Sequence, residues 1–402
     1  MKEKRIAVKP GETGKATVNL AIDRPQYVKL IRNNVPELLY VFPGEELEIS
    51  ILGPANGRLQ FRGPHAAINA WLTNPENVRI GGGFDSGEKE YMDLLRSRVN
   101  STIAALEDLK LENGFVEKEK KRIAARIYTS LVTYPSMRKR RERSYIPSDA
   151  YYDFVSEVLF EDPEMLSLDD YTGFLQYLVH LRAIKGIRTY NPLVYAETTI
   201  RYVADEIRDP QIREHLVNYY AYDYLKRNGI EQIRPVADLF NRYVTDSSDI
   251  RKFRETQAVW AKVARGSLIP DFEFYDINDR KVSFSSLRGK YLYIDTWATW
   301  CKPCLAELPH LKKMEDSLKG RNIDFVSISV DRDRDAWKKM VRDDKFEGVQ
   351  WHSPEREFSK DLMIVSIPRF ILIDPEGKIV DVNMSRPSNA ATLAFLKALP
   401  GM

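Results

Sequence analysis

The alternating pattern of the last third of the chain constrains the fold most. Short apolar segments are separated there by amphipathic segments, and this alternation is typical of a βαβ sheet. Strands are predicted at "YLYIDTW" (291–297), "IDFVSISVD" (323–331) and "RFILID" (369–374), and helices directly after Cys301, at 335–345 and at 388–399. Residues 267–402 therefore predict an α/β domain.

The rest of the chain shows two other patterns. Residues 1–84 carry the short alternating runs "KATVNLAI", "QYVKLI", "LLYVF" and "LEISIL" between turn residues, which predicts a small β-rich domain, sandwich-like or a barrel. Residues 85–266 have helical periodicity and predict an all-α domain of roughly eight helices, several of them ending at a glycine, as at Gly114 and Gly229. The predicted fold is thus multidomain, with domains at 1–84, 85–266 and 267–402.

Length and charge narrow the class of protein. With 402 residues the chain is longer than one hydrophobic core usually supports. Its 61 basic residues nearly balance its 58 acidic ones, so no global charge favours nucleic acid, and we interpret the basic run at 137–143 as a loop or a helix end. No apolar run reaches the roughly 18 residues that span a bilayer. The first residues do not form a secretory signal, which indicates a cytoplasmic protein or a missing leader.

Cys301 and Cys304, the two cysteines of the chain, are separated by two residues. Such a pair can be half of a zinc site, a structural disulfide or a redox-active dithiol. A zinc site needs a full tetrahedral ligand set, whereas the five histidines are scattered and no second cysteine pair exists, so we expect no metal. A structural disulfide that closes so short a loop would remove little chain entropy. We therefore interpret the pair as a redox-active dithiol.

The position of this dithiol, between a buried strand and an amphipathic helix, also favours redox chemistry. Cys301 would lie at the amino end of the helix, where free N–H groups and the helix dipole lower a thiol pKa to about 3.5–7.5. Cys301 is therefore the predicted nucleophile, and Cys304, one turn inside the helix, is the predicted resolving thiol. Lys302 would add positive charge that favours the thiolate, and Pro303 would stiffen the turn.

Residues 267–402 resemble the thioredoxin superfamily, and most closely the TlpA/ResA-type bacterial thiol-disulfide oxidoreductases. The resemblance is carried by "IPDFEFYDINDRKVSFSSLRGKYLYIDTWATWCKPCLAELP", "FVSISVD" and "SIPRFILIDPEGKIV", in this order. It implies a thioredoxin-like fold with no cofactor beyond the redox-active disulfide of Cys301 and Cys304. It also implies a cis peptide bond between Ile367 and Pro368, which would leave the Ile367 backbone free to pair with an extended substrate. A plain strand-start proline is the alternative.

Two acidic residues near the dithiol are candidate catalytic residues. Asp295 lies where thioredoxin holds a buried acid, so burial would raise its pKa and it could take the proton of Cys304. The alternative is an aspartate that reaches solvent at a strand end. Glu307 resembles the acid that tunes the cysteines in TlpA/ResA-type proteins, and an ordinary solvated helix glutamate is the alternative. Trp300 could present a flat apolar wall beside Cys301.

Together these residues predict a thiol-disulfide oxidoreductase that reduces disulfide-bearing client proteins through a mixed disulfide on Cys301. The resemblance implies a membrane thiol electron donor and a periplasmic or outer-surface location, with the cytoplasm as the alternative. Two other functions stay open. One is a peroxiredoxin-like thiol peroxidase, although Ala298 occupies the position three before Cys301, where the peroxide-binding pattern has threonine. The other is a client-binding chaperone in which residues 1–266 bind the partner and the redox domain is accessory.

Overall fold

A computed structural model of the protein describes residues 6–9, 15–53, 57–78, 82–153, 161–184, 191–344, 346, 348–353 and 356–402. The chain divides into two compact units, Met1–Ile187 with Asp205–Arg213, and Arg188–Ala204 with Glu214–Met402. The boundary predicted at residue 84 lies within the first unit, and the boundary predicted at residue 266 lies within the second. The division into three domains stays a prediction.

The strands of the first unit form two separate two-stranded antiparallel sheets. β1 (Gln26–Arg32) pairs with β2 (Val35–Val41), and β3 (Glu48–Leu52) pairs with β4 (Arg58–Arg62). Asn33 and Asn34 form the two-residue turn between β1 and β2 with φ values of 47° and 65°, as a tight hairpin of this length requires. The runs "QYVKLI", "LLYVF" and "LEISIL" are thus confirmed as strands.

Two small sheets stand in place of the predicted sandwich in the described part of residues 1–84. The run "KATVNLAI" (15–22) is almost entirely exposed and forms no strand. Two helices follow β4: α1 (Ala66–Thr73) and the short α2 (Pro75–Val78). α1 contacts both β2 and β4 and buries Trp71. A helix therefore covers strands that a second sheet was predicted to cover, because alternation predicts an apolar face but not the element that packs on it.

Within the described residues, three helices make up most of the remaining first unit: α3 (Glu88–Asp108), α4 (Asn113–Arg141) and α5 (Asp169–Ala183). α3 and α4 enclose an apolar core with β2 and α1, and its buried aromatic side chains include Tyr40, Trp71, Tyr91, Phe115 and Tyr134. α5 packs against α4. The basic run at 137–143 lies at the end of α4, which confirms its interpretation as a helix end.

Four further helices precede the sheet of the second unit: α6 (Pro192–Glu206), α7 (Pro210–Asn228), α8 (Arg234–Tyr243) and α9 (Ser247–Lys262). The first few residues of α7 and the last two of α6 belong to the first unit. The helical character predicted for 85–266 is confirmed in the described residues of that range.

The two predicted glycine helix ends have different outcomes. Gly229 follows α7 with a φ of 78°, and its N–H donates to the carbonyl of Leu225 at 3.0 Å, which confirms the predicted cap. The prediction for Gly114 is wrong, because α3 ends earlier and Gly114 lies in the first turn of α4. There the carboxylate of Glu112 accepts hydrogen bonds from the N–H groups of Gly114 and Phe115, and this cap starts a new helix.

A seven-stranded mixed sheet forms the centre of the second unit. Its strands are β5 (Phe274–Asp276), β6 (Lys281–Val282), β7 (Tyr291–Trp297), β8 (Ile323–Ser329), β9 (Val349–His352), β10 (Arg369–Ile373) and β11 (Ile379–Met384). Their order is β11-β10-β7-β8-β9-β5-β6, and β7, β8 and β9 run parallel. The three predicted strands correspond to β7, β8 and β10, so the predicted α/β domain is confirmed.

Four helices belong to this sheet: α10 (Lys302–Ser317), α11 (Arg334–Asp343), α12 (Glu357–Asp361) and α13 (Ala390–Lys397). β7 pairs with β8 on one side and β10 on the other, and all seven of its residues are buried. Apolar residues of α10, Leu311 and Met314, pack on Tyr291 and Tyr293 of β7. α10 begins shortly after the carboxyl end of this central strand. Active and binding sites of parallel sheets commonly lie at the carboxyl ends of the strands.

Gly229 should be more sensitive to substitution than Gly320, another glycine with positive φ. A Cβ at Gly229 would lie 3.1 Å from the ring of buried Trp260, whereas a Cβ at Gly320, whose φ is 80°, would meet nothing within 4 Å. Both alanine variants pay about 1 kcal/mol for the left-handed backbone. Only Gly229→Ala adds an overpacking cost of about 1–3 kcal/mol. Thermal and urea unfolding of the two variants measures the difference, and equal losses would contradict the tight contact with Trp260.

Candidate active site

Cys301 and Cys304 form a disulfide at the amino end of α10, with their Cα atoms 5.3 Å apart. Cys301 is the N-cap residue of the helix, and the N–H of Cys304 donates to the Cys301 Sγ at 3.3 Å. Cys301 is 4% exposed and Cys304 is 1% exposed in this oxidised state. The N–H group that contacts the sulfur in the disulfide would also stabilise a thiolate on Cys301 after reduction.

The disulfide lies in an apolar cluster. Its buried neighbours are Trp297, Ala298, Trp337 and Val341, and the half-buried Ile367 packs against the same group. Removing a thiolate from water in such surroundings raises the thiol pKa, whereas the free N–H groups of the helix start lower it. The site therefore combines two opposite influences on the cysteine sulfurs.

The other residues predicted to bind substrate lie around this cluster. Trp300 is 68% exposed, and Lys302 and Pro303 are exposed at the start of α10. The peptide bond between Ile367 and Pro368 is cis, as the resemblance implied, and both residues are half-buried. The structure thus brings Ile367 to the dithiol and leaves Trp300 open to solvent beside Cys301.

Asp295 lies inside β7 and is 2% exposed, so the alternative of a solvent-exposed strand-end aspartate is wrong. Its Oδ1 atom has no hydrogen-bond partner among the described residues. Burial, followed by the charge of Glu307, raises the pKa of Asp295 to about 8. Burial and the same two carboxyls also hold the pKa of Tyr293 well above its usual range. These three side chains therefore form one electrostatically coupled group beneath the start of α10.

Glu307 is 7% exposed on α10, so the alternative of a solvated helix glutamate is wrong. Ser388 donates to its carboxylate from both the backbone N–H, at 3.0 Å, and the hydroxyl, at 2.9 Å. The guanidinium of Arg386 lies 3.8 Å from the same carboxylate. Glu307 is thus oriented by hydrogen-bond donors from the loop before α13. Asp295, by contrast, has a buried carboxyl oxygen without such a donor among the described residues.

Sequence reasoning missed three polar residues that hold this site. Ser388, the first residue of the helix predicted at 388–399, lies with Arg386 in the loop before α13. Asp331 follows β8 and accepts hydrogen bonds from Thr299, in the loop between β7 and α10. A signal for Asp331 did exist: it ends the predicted strand "IDFVSISVD", and the carboxyl ends of neighbouring parallel strands meet at one edge of a sheet.

Among the residues that the structure describes, no group of histidine, cysteine, aspartate and glutamate side chains could hold a metal ion. The helices of that same part of the chain include none with the length and apolar character to cross a membrane.

A dithiol at the amino end of the helix that follows a central parallel strand, with a cis-proline and a buried acid, defines a thioredoxin-like redox protein. Comparison with known proteins agrees with this class. A family model described as Redoxin matches residues 264–393. The thiol-disulfide oxidoreductase ResA of Bacillus subtilis (strain 168) is 28% identical over 123 residues, which are 30% of this chain and 67% of that protein. ResA of Bacillus cereus (strain ATCC 10987 / NRS 248) is 25% identical over 138 residues, 34% of this chain and 80% of that protein.

Similar solved structures also exist. The thioredoxin domain of a thiol-disulfide oxidoreductase from Bacteroides vulgatus is 30% identical, with a TM-score of 0.31, over 33% of this chain and 96% of that chain. A thiol-disulfide oxidoreductase from Bacteroides fragilis NCTC 9343 is 28% identical, with a TM-score of 0.29, over 33% of this chain and 97% of that chain. The redoxin match is confined to residues 264–393, and the similarity there to ResA supports a TlpA/ResA-like thiol-disulfide oxidoreductase of the thioredoxin superfamily.

Replacing Asp295 with asparagine should remove a pH-dependent loss of stability. The folded pKa of about 8 lies above the unfolded value of about 4, so between these values the unfolded chain releases a proton that the folded protein keeps. The free energy of unfolding therefore falls as pH rises, by up to about 1.4 kcal/mol per pH unit. Because Asp295→Asn lacks this contribution, its advantage over wild type should grow with pH and level off above about pH 8.

Denaturant unfolding of the oxidised proteins between about pH 5 and about pH 8 measures this effect. Asp316→Asn is the matched control, since it removes an exposed carboxyl from α10. Parallel pH responses of wild type and Asp295→Asn would show that Asp295 does not keep its proton in the folded protein.

Proposed function

We propose that the protein, in its dithiol form, reduces disulfides of client proteins through a mixed-disulfide intermediate. The observation that carries the proposal is the position of Cys301, whose sulfur lies at the amino end of α10 within hydrogen-bond distance of the Cys304 N–H. A thiolate is stabilised by this arrangement, and the thiolate is the form that attacks a disulfide.

The reaction has two balanced steps. The Cys301 thiolate attacks one sulfur of the client disulfide, so an S–S bond forms between enzyme and client and the other client sulfur leaves as a thiolate. The Cys304 thiolate then attacks the Cys301 sulfur, the mixed disulfide breaks, and the second client sulfur leaves. The client gains two electrons, and the enzyme ends with the Cys301–Cys304 disulfide.

Asp295 is the proposed acceptor of the Cys304 proton. A free thiol has a pKa of about 8.5, so Cys304 must lose its proton before the second step. The pKa of Asp295, about 8, is close to that of a free thiol, so Asp295 can exchange a proton near neutral pH. Glu307 acts on this step through its charge, which contributes to the raised pKa of Asp295.

An extended client segment would lie beside the dithiol. The exposed Trp300 offers an apolar face next to Cys301, and the backbone of Ile367, before Pro368, would pair with the client. Lys302 adds positive charge at the same rim and favours an attacking thiolate.

The oxidised enzyme needs an electron donor. We propose a membrane thiol carrier as this donor and a periplasmic or outer-surface location, on the basis of the resemblance to TlpA/ResA-type proteins. Confinement of both cysteines to the site fits an oxidising compartment, because no other thiol can mispair there. Domains at 1–84, 85–266 and 267–402 remain part of this proposal, with the redox chemistry in the last.

Cys304→Ser should trap the intermediate. Without the resolving thiol, the reduced variant should accumulate a covalent complex between Cys301 and insulin, which a non-reducing gel and mass spectrometry detect. Wild type should reduce insulin catalytically with a thiol donor, and Cys301→Ser should do neither. Insulin reduction that survives in Cys301→Ser would contradict the proposal, and catalysed peroxide consumption by Cys304→Ser would favour the peroxidase alternative.

Whether the enzyme reduces or forms client disulfides can be measured separately from the trapping of the intermediate. We expect the Cys301–Cys304 couple to be more reducing than the glutathione couple, because a reductase must pass electrons to client disulfides. Equilibration of the protein with mixtures of reduced and oxidised glutathione, followed by alkylation of free thiols, gives the potential. A potential well above that of glutathione would assign the enzyme to disulfide formation instead.

A further inference from the structure

The loop between β7 and α10 is tied to a single carboxylate. Thr299, in this loop, donates to Asp331 twice, from its N–H to Oδ2 at 2.9 Å and from its hydroxyl to Oδ1 at 2.8 Å. Thr299 directly precedes Trp300, and the N–H of Cys301 donates to the carbonyl of Ala298 at 3.0 Å to close the turn. Both carboxylate oxygens of Asp331 therefore accept hydrogen bonds from Thr299, which lies at the centre of this turn.

Asp331 is itself held firmly. It is 5% exposed, and the hydroxyl of buried Ser329 donates to its Oδ2 at 2.8 Å. The backbone N–H of Asp331 in turn lies 3.1 Å from the Ser329 hydroxyl oxygen, and a ring nitrogen of buried His352 lies 2.9 Å from the Asp331 carbonyl oxygen. Ser329 ends β8 and His352 ends β9, so Asp331 is held through its carboxylate by one strand and through its backbone carbonyl by the next.

We propose that Asp331 is a positioning residue for thiol-disulfide exchange: by holding Thr299 it fixes the turn that presents Trp300 and Cys301 to the substrate. The inference rests on the proposed role of Cys301 as the nucleophile. The turn separates fully buried Ala298 from the exposed Trp300, so a small rotation of Thr299 would move the indole and the sulfur together. A misplacement of about 1 Å in such a position can cost about a hundredfold in rate.

Variants on both sides of the contact test the proposal. Asp331→Asn keeps the shape but replaces one acceptor oxygen with an amide that cannot accept from Thr299. Thr299→Val keeps the shape and removes the hydroxyl alone. Asp335→Asn is the matched control, because it removes an exposed negative charge from the first turn of α11 without a role in the turn.

The readout is the second-order rate constant with which the reduced protein converts oxidised glutathione into two thiols while its own disulfide forms. We expect a loss of about fivefold for Thr299→Val and about ten- to a hundredfold for Asp331→Asn, with no change for Asp335→Asn. The double variant Asp331→Asn with Thr299→Val should be no slower than Asp331→Asn, because the hydroxyl acts through the carboxylate.

Hydrogen exchange of the segment 298–301 is measured in parallel, well below the melting temperature. Faster exchange of this segment in Asp331→Asn together with the non-additive rate loss supports the proposal. Unchanged exchange, additive losses, or a lower melting temperature with an unchanged rate constant would each overturn it. If Asp331→Asn does not fold, the test rests on Thr299→Val alone. A rate constant of Thr299→Val with oxidised glutathione equal to that of wild type would then overturn the proposal.

This test is separate from the proposed function. Failure of wild type to reduce insulin would overturn reduction of protein clients, while the exchange with glutathione would still report on Asp331. If Cys301→Ser reacts with oxidised glutathione as fast as wild type, the proposed nucleophile is wrong, and the positioning role of Asp331 is overturned with it.

Discussion

The properties of the site depend on the burial of β7 up to the point where the chain leaves the sheet. Because β7 is paired on both sides and buried along its length, its end is fixed, and a short loop then places Cys301 at the amino end of α10. Free N–H groups at that end favour a thiolate, whereas the surrounding apolar side chains, Trp297 and Trp337 among them, disfavour a charge. The reactivity of Cys301 is the balance of these two effects, and both follow from the junction of strand and helix.

The two buried acids of the site differ in their hydrogen-bond partners. Glu307 accepts two hydrogen bonds from Ser388, whereas Asp295 has a buried oxygen with no partner in the described part of the chain. The desolvation cost of a charge is therefore offset for Glu307 and not for Asp295, whose pKa rises to about 8. Asp295 is thus a buried acid whose pKa lies near that of a free thiol, and the charge of Glu307 contributes to that value. This difference between the two acids does not follow from the residue type alone.

Features with a local pattern could be predicted from the sequence, and contacts between distant segments could not. β7 is a continuous apolar run, so its position and that of Cys301 were predictable. Ser388 lies 81 positions from Glu307, and Asp331 lies 32 positions from Thr299, and the local pattern around these residues does not show which distant residue each one contacts. The run at 15–22 shows the opposite case: its alternation favours a strand, but a strand also needs a partner for its backbone hydrogen bonds, which a pattern does not supply.

The end of the helical region takes part in the hydrogen bonding of the sheet. The Gly266 N–H donates to the Ile379 carbonyl and the Ile379 N–H donates to the Ser267 carbonyl, both at 2.8 Å. β11 is the last strand in the sheet order, so this pairing covers an edge that would otherwise expose free backbone groups. Asn383 of β11 also donates to the carbonyl of Arg227 in α7 at 3.1 Å. The residues on both sides of position 266, where the periodicity changes, and the end of α7 thus share hydrogen bonds with the edge strand β11.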